Sequence, residues 1–210
     1  MIIANSRKHG GRCVAGLSLD APRFVRPVGE APHTELHIRH CGVEGRQPRL
    51  FEVVEFEHLG HDGDVAQPEN VLLAEQPWRL LGRMPGDEAL SRLRAVRHAP
   101  PRIFGNFGKA VHVDDAADGV DASLAVVEPH DLEFEHRADA TARVHFIHAG
   151  RTWDLGLTDF PIHKAVMEAD VGRHRPSDLG LPRTILLTLS LGTAFGEFHH
   201  KLVAAVLPFE

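Results

Sequence analysis

Between Leu132 and Leu207 the hydrophobic period of the chain changes twice, and the resulting order of elements limits the folds open to it. Three short runs, Leu132 to Arg137, Ala142 to His148 and Thr152 to Thr158, read as strands, and Ala149-Gly150-Arg151 reads as a hairpin turn between the last two. At Asp159 the period shifts. An acidic cap followed by Phe160-Pro161 and an apolar-polar mixture to Met167 predicts a helix with proline in its first turn. After a Gly/Pro-rich link, Arg183 to Leu191 and Phe198 to Leu207 predict two strongly apolar strands, with the turn between them at Gly192.

Three strands, a helix and two strands is the layout of an OB-fold, a small Greek-key barrel. The first half is less regular but also strand-rich. Ile2 to Asn5, Arg12 to Leu17, Leu50 to His58 and Asn70 to Leu73 read as strands. Ala89, Leu90, Leu93 and Val96 fall at helical spacing within Asp87 to Val96. The expected fold class is mainly β, with two fused OB-fold-like β-barrels. One would span residues 1–119, with a His/Pro/Gly-rich insertion at about 29–49, and the other 120–210; the polar segment Asp114 to Gly119 marks the boundary.

No apolar run approaches the roughly 20 residues of a membrane-spanning helix, and the N-terminus lacks a secretory pattern. A soluble, cytoplasmic protein without a membrane partner is therefore expected. Two cysteines, Cys13 and Cys41, do not indicate a disulfide framework, and both read as reduced. The net charge of −6 argues against bulk attraction to nucleic acid, but it is unevenly placed. Residues 1–110 hold 15 Lys and Arg against 13 Asp and Glu, a net +2, whereas residues 111–210 hold 8 against 16, a net −8.

The densest positive segment is the opening one, "NSRKHGGRC". Gly10-Gly11 permits a tight turn that exposes backbone N–H groups, and Arg7, Lys8 and Arg12 can bond a phosphate beside Asn5 and Ser6. Arg26 supplies a second basic segment that can frame the same anion. Gln67, Glu69 and Asn70 form a polar group at the mouth of a strand, able either to read base edges or to serve a turn. In "IFGNFGK", Phe104, Phe107 and Lys109 sit among glycines, where rings can be left free to stack on bases. Thr158 and Asp159 join the candidates, with helix capping as their ordinary role. Lys201 interrupts an apolar strand and either reaches the rim or points into a cleft.

His33, His37, His40 and Cys41 offer nitrogen and sulfur, but without a zinc-type spacing, so no metal and no cofactor is assigned. No nucleophile elbow, phosphate-binding loop or dinucleotide fingerprint is present, and no catalytic residue is legible. Asp114-Asp115 and the Asp154/Asp159 pair are the acidic groups weighed for a divalent ion, with solvated surface as the default.

"IIANSRKHGGRCVAG", "FVRPV", "QPENVLL", "LTD", "SLG" and "HHKLVAAV", taken in that order, resemble the bacterial dual OB-containing domain family across nearly the whole chain. The likeness departs from the family around residues 31–47 and at "FHHKL". It implies two OB-like barrels and a role in nucleic-acid recognition, RNA or single-stranded, within bacterial conflict or repair systems. Two other readings stay open: an enzyme acting on nucleotides or nucleic-acid ends, and an adaptor that binds a protein partner through the acidic C-terminal half.

Overall fold

The computed structural model describes residues 1–8, 10–30 and 34–210, without the side chains of Lys8 and Ile38. The expectations placed on the Lys8 side chain and on His33 lie outside the described residues. The first half runs β1 (Ile2–Lys8), β2 (Gly11–Leu17), β3 (Phe24–Val28), α1 (Ile38–Cys41), β4 (Glu52–Glu55), β5 (His58–His61), β6 (Asn70–Leu73), β7 (Arg79–Arg83), α2 (Gly86–Ala95), β8 (Ala110–His112) and α3 (Val113–Ala117). The second half runs β9 (Leu124–Val127), β10 (His130–His136), β11 (Ala142–His148), β12 (Arg151–Leu157), α4 (Phe160–Glu168), β13 (Gly172–His174), β14 (Thr184–Phe195) and β15 (Phe198–Phe209).

The two main sheets share one plan. In the C-terminal lobe the order is β13-β10-β11-β12-β15-β14-β9, and β12 lies parallel to β15. Only Glu128 and Pro129 separate β9 from β10, so the two are halves of one bent strand. The first half pairs with β14 and the second with β11, which brings the sheet back upon itself as a partly open barrel. The N-terminal lobe has the order β1-β2-β3-β6-β5, again with one parallel pair, β3 with β6, while β4 and β7 form a separate ribbon. Strand order thus repeats where residue identity does not.

The strongly apolar character of β14 and β15 follows from burial on both faces. Leu187, Leu189, Leu191, Val203 and Val206 fill the C-terminal barrel together with Phe134, Phe146 and Trp153. Their neighbours Leu186, Ala204, Ala205 and Leu207 point the other way, into a layer shared with Met1, Ile3, Ala15 and Leu17 of the first lobe. Burial of a Leu or Ile side chain is worth about 1.5–3 kcal/mol, so this shared layer fuses the lobes. Ile2 and Val14 alternate to a third cluster with Leu36, Cys41, Val43 and Trp78.

Several local expectations are corrected. Gly192 lies inside β14, and the reversal comes at Gly196-Glu197, so the hairpin is longer than the apolar pattern shows. The run Leu50 to His58 divides into β4 and β5. The polar stretch after Gly29 contributes buried Leu36, Cys41 and Val43 to a core. Among the described residues, no helix is long and apolar enough to cross a membrane.

Candidate functional site

The register of β1 and β2 sets Arg7 directly opposite Arg12. Like charges at facing strand positions repel, and among the described residues neither guanidinium has a carboxylate within ion-pair distance. The pair is held in place from both sides. Arg12 and Leu36 exchange backbone hydrogen bonds at 2.8 Å, and the Arg7 N–H donates to Thr158 O at 3.4 Å. Gly10 has φ +90°, as the turn requires. At Gly11 a Cβ would stand 2.8 Å from Glu35 Cγ and 3.0 Å from Leu36 O, so only glycine fits under that crossing.

The Arg12 guanidinium lies 5.3 Å from the centroid of the Phe160 ring. Partial burial, and then the facing Arg7, lower its pKa below the usual arginine range. Phe160, the first residue of α4, is 39% exposed beside that guanidinium. Asn5, Arg12, Arg46, Arg49, Asp159 and Phe160 line a cleft of about 390 Å3. Asn5 Nδ2 donates to Pro48 O at 2.8 Å, while its Oδ1 is buried with no hydrogen-bond partner among the described residues. Arg46 is engaged with Glu52 through two bonds of 2.6 and 3.0 Å.

Asp159 organises this cleft from below. Its carboxylate accepts from Ile162 N at 3.4 Å, capping α4, and from Val206 N at 2.8 Å on β15. Burial raises its pKa above the ordinary aspartate value. Thr158 Oγ1 donates to Val203 O at 3.2 Å, and Ser6 Oγ to Cys13 O at 3.4 Å. Ser6 and Asp159 also form a β-bridge. The structure therefore gathers Asn5, Ser6, Arg7, Arg12, Thr158 and Asp159. Arg7, Arg12 and the Phe160 ring present charge and a stacking face, while Asn5, Ser6, Thr158 and Asp159 position them. Phe160, Arg46 and Arg49 were missed in the sequence, where Phe160 reads only as the start of a helix.

The remaining candidates lie elsewhere. Arg26 is 2% exposed and donates to Asn70 Oδ1, Ser123 Oγ, Ser123 O and Ser190 Oγ at 3.0–3.2 Å, joining the two lobes. Glu69 accepts from Ser123 N, Ser123 Oγ and Leu124 N. Gln67 Nε2 donates to Leu191 O at 2.8 Å, and Asn70 Nδ2 donates to Asp62 and Gln67. Apart from Arg26 Nε, which is buried without a hydrogen-bond partner among the described residues, the bonding groups of "QPEN" and Arg26 are thus spent on an interlobe clamp.

Lys201 is also buried. Its ammonium donates to Ile103 O, Asn106 O and Asn106 Oδ1 and lies 5.2 Å from the Trp153 ring, fixing the "IFGNFGK" loop. Burial pushes its pKa down to about 8. Phe104 is buried in the barrel, whereas Phe107 is exposed beneath Arg151, 4.1 Å away, and Arg102, 5.3 Å away. Lys109 pairs with Asp154. Among the described residues, no group of three or more His, Cys, Asp or Glu is placed to hold a metal ion.

No curated protein and no solved structure matches the chain. The family model of a dual OB-containing domain matches residues 1–206, essentially the full length, in agreement with the repeated strand order of the two lobes. The chain belongs to the dual OB-containing domain family.

Proposed function

We propose that this OB-fold module binds nucleic acid, RNA or a single strand, with a phosphate between Arg7 and Arg12 and a base on Phe160. One observation carries the reading: two arginines are held face to face without a neutralising carboxylate among the described residues, beside a part-exposed aromatic ring. A phosphate would relieve that repulsion through charge-assisted hydrogen bonds. Stacking on Phe160 is indifferent to base identity and so suits a strand whose bases are unpaired. In a bacterial conflict or nucleic-acid-repair system such a module would supply recognition.

The test is binding of a labelled 12-nucleotide RNA, the matching single-stranded DNA and a duplex, measured by fluorescence anisotropy. Phe160→Ala is expected to weaken the single strands by about 1–3 kcal/mol, the usual worth of one stacked base, and the duplex less. Equal binding by the variant and the parent protein, or no binding by the parent, would overturn the reading.

A further inference from the structure

A second cationic groove lies on the C-terminal lobe, where a cavity of about 700 Å3 is lined by Lys109, Arg137, Arg143, Gly156, Phe198 and His200. Lys109, Arg137 and Arg143 all converge on Asp154; the Arg143 contact is 2.7 Å and the Arg137 contact 3.4 Å. Arg137 also bonds Glu135 at 2.8 Å. Asp139 also acts on Arg137, so the three cations face three carboxylates, yet none of those carboxylates lines the cavity, whose charged lining is cationic. Gly156 keeps the floor open, since a Cβ there would meet Leu202 Cδ2 at 3.3 Å and Arg143 Nη1 at 3.7 Å.

Aromatic surface stands beside this charge. Phe198 is 43% exposed and Phe195 80% exposed, both at the end of the β14–β15 hairpin, and His112 meets the Phe198 ring edge-on at 5.2 Å. A basic groove with exposed rings at its edge is the arrangement that holds a strand without reading its sequence. The chain itself links this groove, at Gly156, to the first cleft, at Asp159 and Phe160. Along β12, Trp153, Leu155 and Leu157 are buried, so Asp154 and Gly156 face outward, and Thr158 follows at the same spacing. From Asp154 to Thr158 the chain advances about 13 Å, and Thr158 O accepts from Arg7 N while Phe160 follows two residues on.

We infer that the groove at Lys109, Arg143 and Phe198 is a second contact for the same bound strand, which runs along the outer face of β12 from the Arg12/Phe160 cleft and the Arg7 that faces Arg12. The inference rests on the nucleic-acid reading above. It makes the protein's footprint several nucleotides long, spanning both lobes, and requires affinity to rise with strand length.

The experiment compares a trinucleotide with a 20-nucleotide oligouridylate in the parent protein, in Lys109→Ala/Phe198→Ala and in Arg7→Ala/Arg12→Ala, with thermal melting to show that each is folded. Both Lys109 and Phe198 are solvent-exposed, and Phe195→Ala provides a further probe at the hairpin tip. The Lys109/Phe198 variant is expected to bind the 20-mer roughly 10-fold or more weakly, with a salt slope shallower by about 0.7, and the trinucleotide within twofold of the parent. A 20-mer bound within twofold of the parent, while the Arg7/Arg12 variant is weakened, would overturn this inference alone. Equal weakening for both lengths would also overturn it. If the parent binds neither oligomer, the nucleic-acid reading fails and this inference fails with it.

Discussion

Replacing Arg26 with alanine separates an interlobe clamp from a ligand contact. The guanidinium makes four hydrogen bonds of 3.0–3.2 Å to acceptors from both lobes and is 2% exposed. Hydrogen bonds to a charged group contribute about 1.5–3 kcal/mol each, but their sum is offset by the several kcal/mol needed to bury the ion. Truncation also leaves Asn70 Oδ1 and Ser190 Oγ short of a donor in the interior. Each buried acceptor left unsatisfied costs about 1–3 kcal/mol, so with two such acceptors the net loss expected is about 3–5 kcal/mol. At this chain length that corresponds to a fall in Tm of about 6–20 °C. Urea unfolding followed by far-UV circular dichroism measures it. Nucleic-acid binding at low temperature, where the variant remains folded, should match the parent. A loss below about 1 kcal/mol together with abolished binding would place Arg26 at the ligand and refute the argument.

The shared apolar layer predicts one cooperative unfolding transition. A fragment of residues 120–210 should aggregate, because it exposes Leu124, Val126, Leu186 and Leu207 and loses β8; expression of the fragment and its solution state check this. Lys201→Met should cost about 2–4 kcal/mol by leaving Ile103 O and Asn106 without their donor, and should alter Trp153 fluorescence. At Asp154, burial acts to raise the carboxyl pKa, but bonds from Arg143 and Lys109 outweigh it and hold the group well below the ordinary range. Its stabilisation is therefore complete above the unfolded value near 3.9 and is lost as pH falls through the folded one. Acid unfolding of Asp154→Asn should lack that component. Gly11→Ala should cost about 1–3 kcal/mol through overpacking against Glu35 and the Leu36 carbonyl, read as a lower urea midpoint.

The C-terminal lobe was legible in the sequence because each of its strands carries a pattern of its own, and Asp159 with Pro161 marks where the helix begins. The N-terminal lobe was less so. Leu36, Cys41 and Val43 are isolated apolar residues in a polar stretch, and only tertiary packing against Trp78 and Val14 reveals them as core. The basic turn was recognisable from its charge density. Its partner Phe160 was not, since nothing local connects position 160 with Arg12; that contact comes from β1 pairing with the segment that enters α4. Arg26 and "QPEN" were misleading for a related reason. A polar residue at a strand end has the same sequence signature whether it faces a ligand or a second lobe, and Ser123 and Ser190, which decide the matter, are 97 and 164 residues away from Arg26.

The central claim is that the facing arginines neutralise phosphate, and the salt dependence of binding tests it most directly. For a 12-nucleotide single strand, the slope of log affinity against log salt should become shallower by about 1.4 in Arg7→Gln/Arg12→Gln, since each single-strand phosphate contact contributes about 0.7, and affinity at low salt should fall with it. An unchanged slope and affinity in the folded variant would contradict the account.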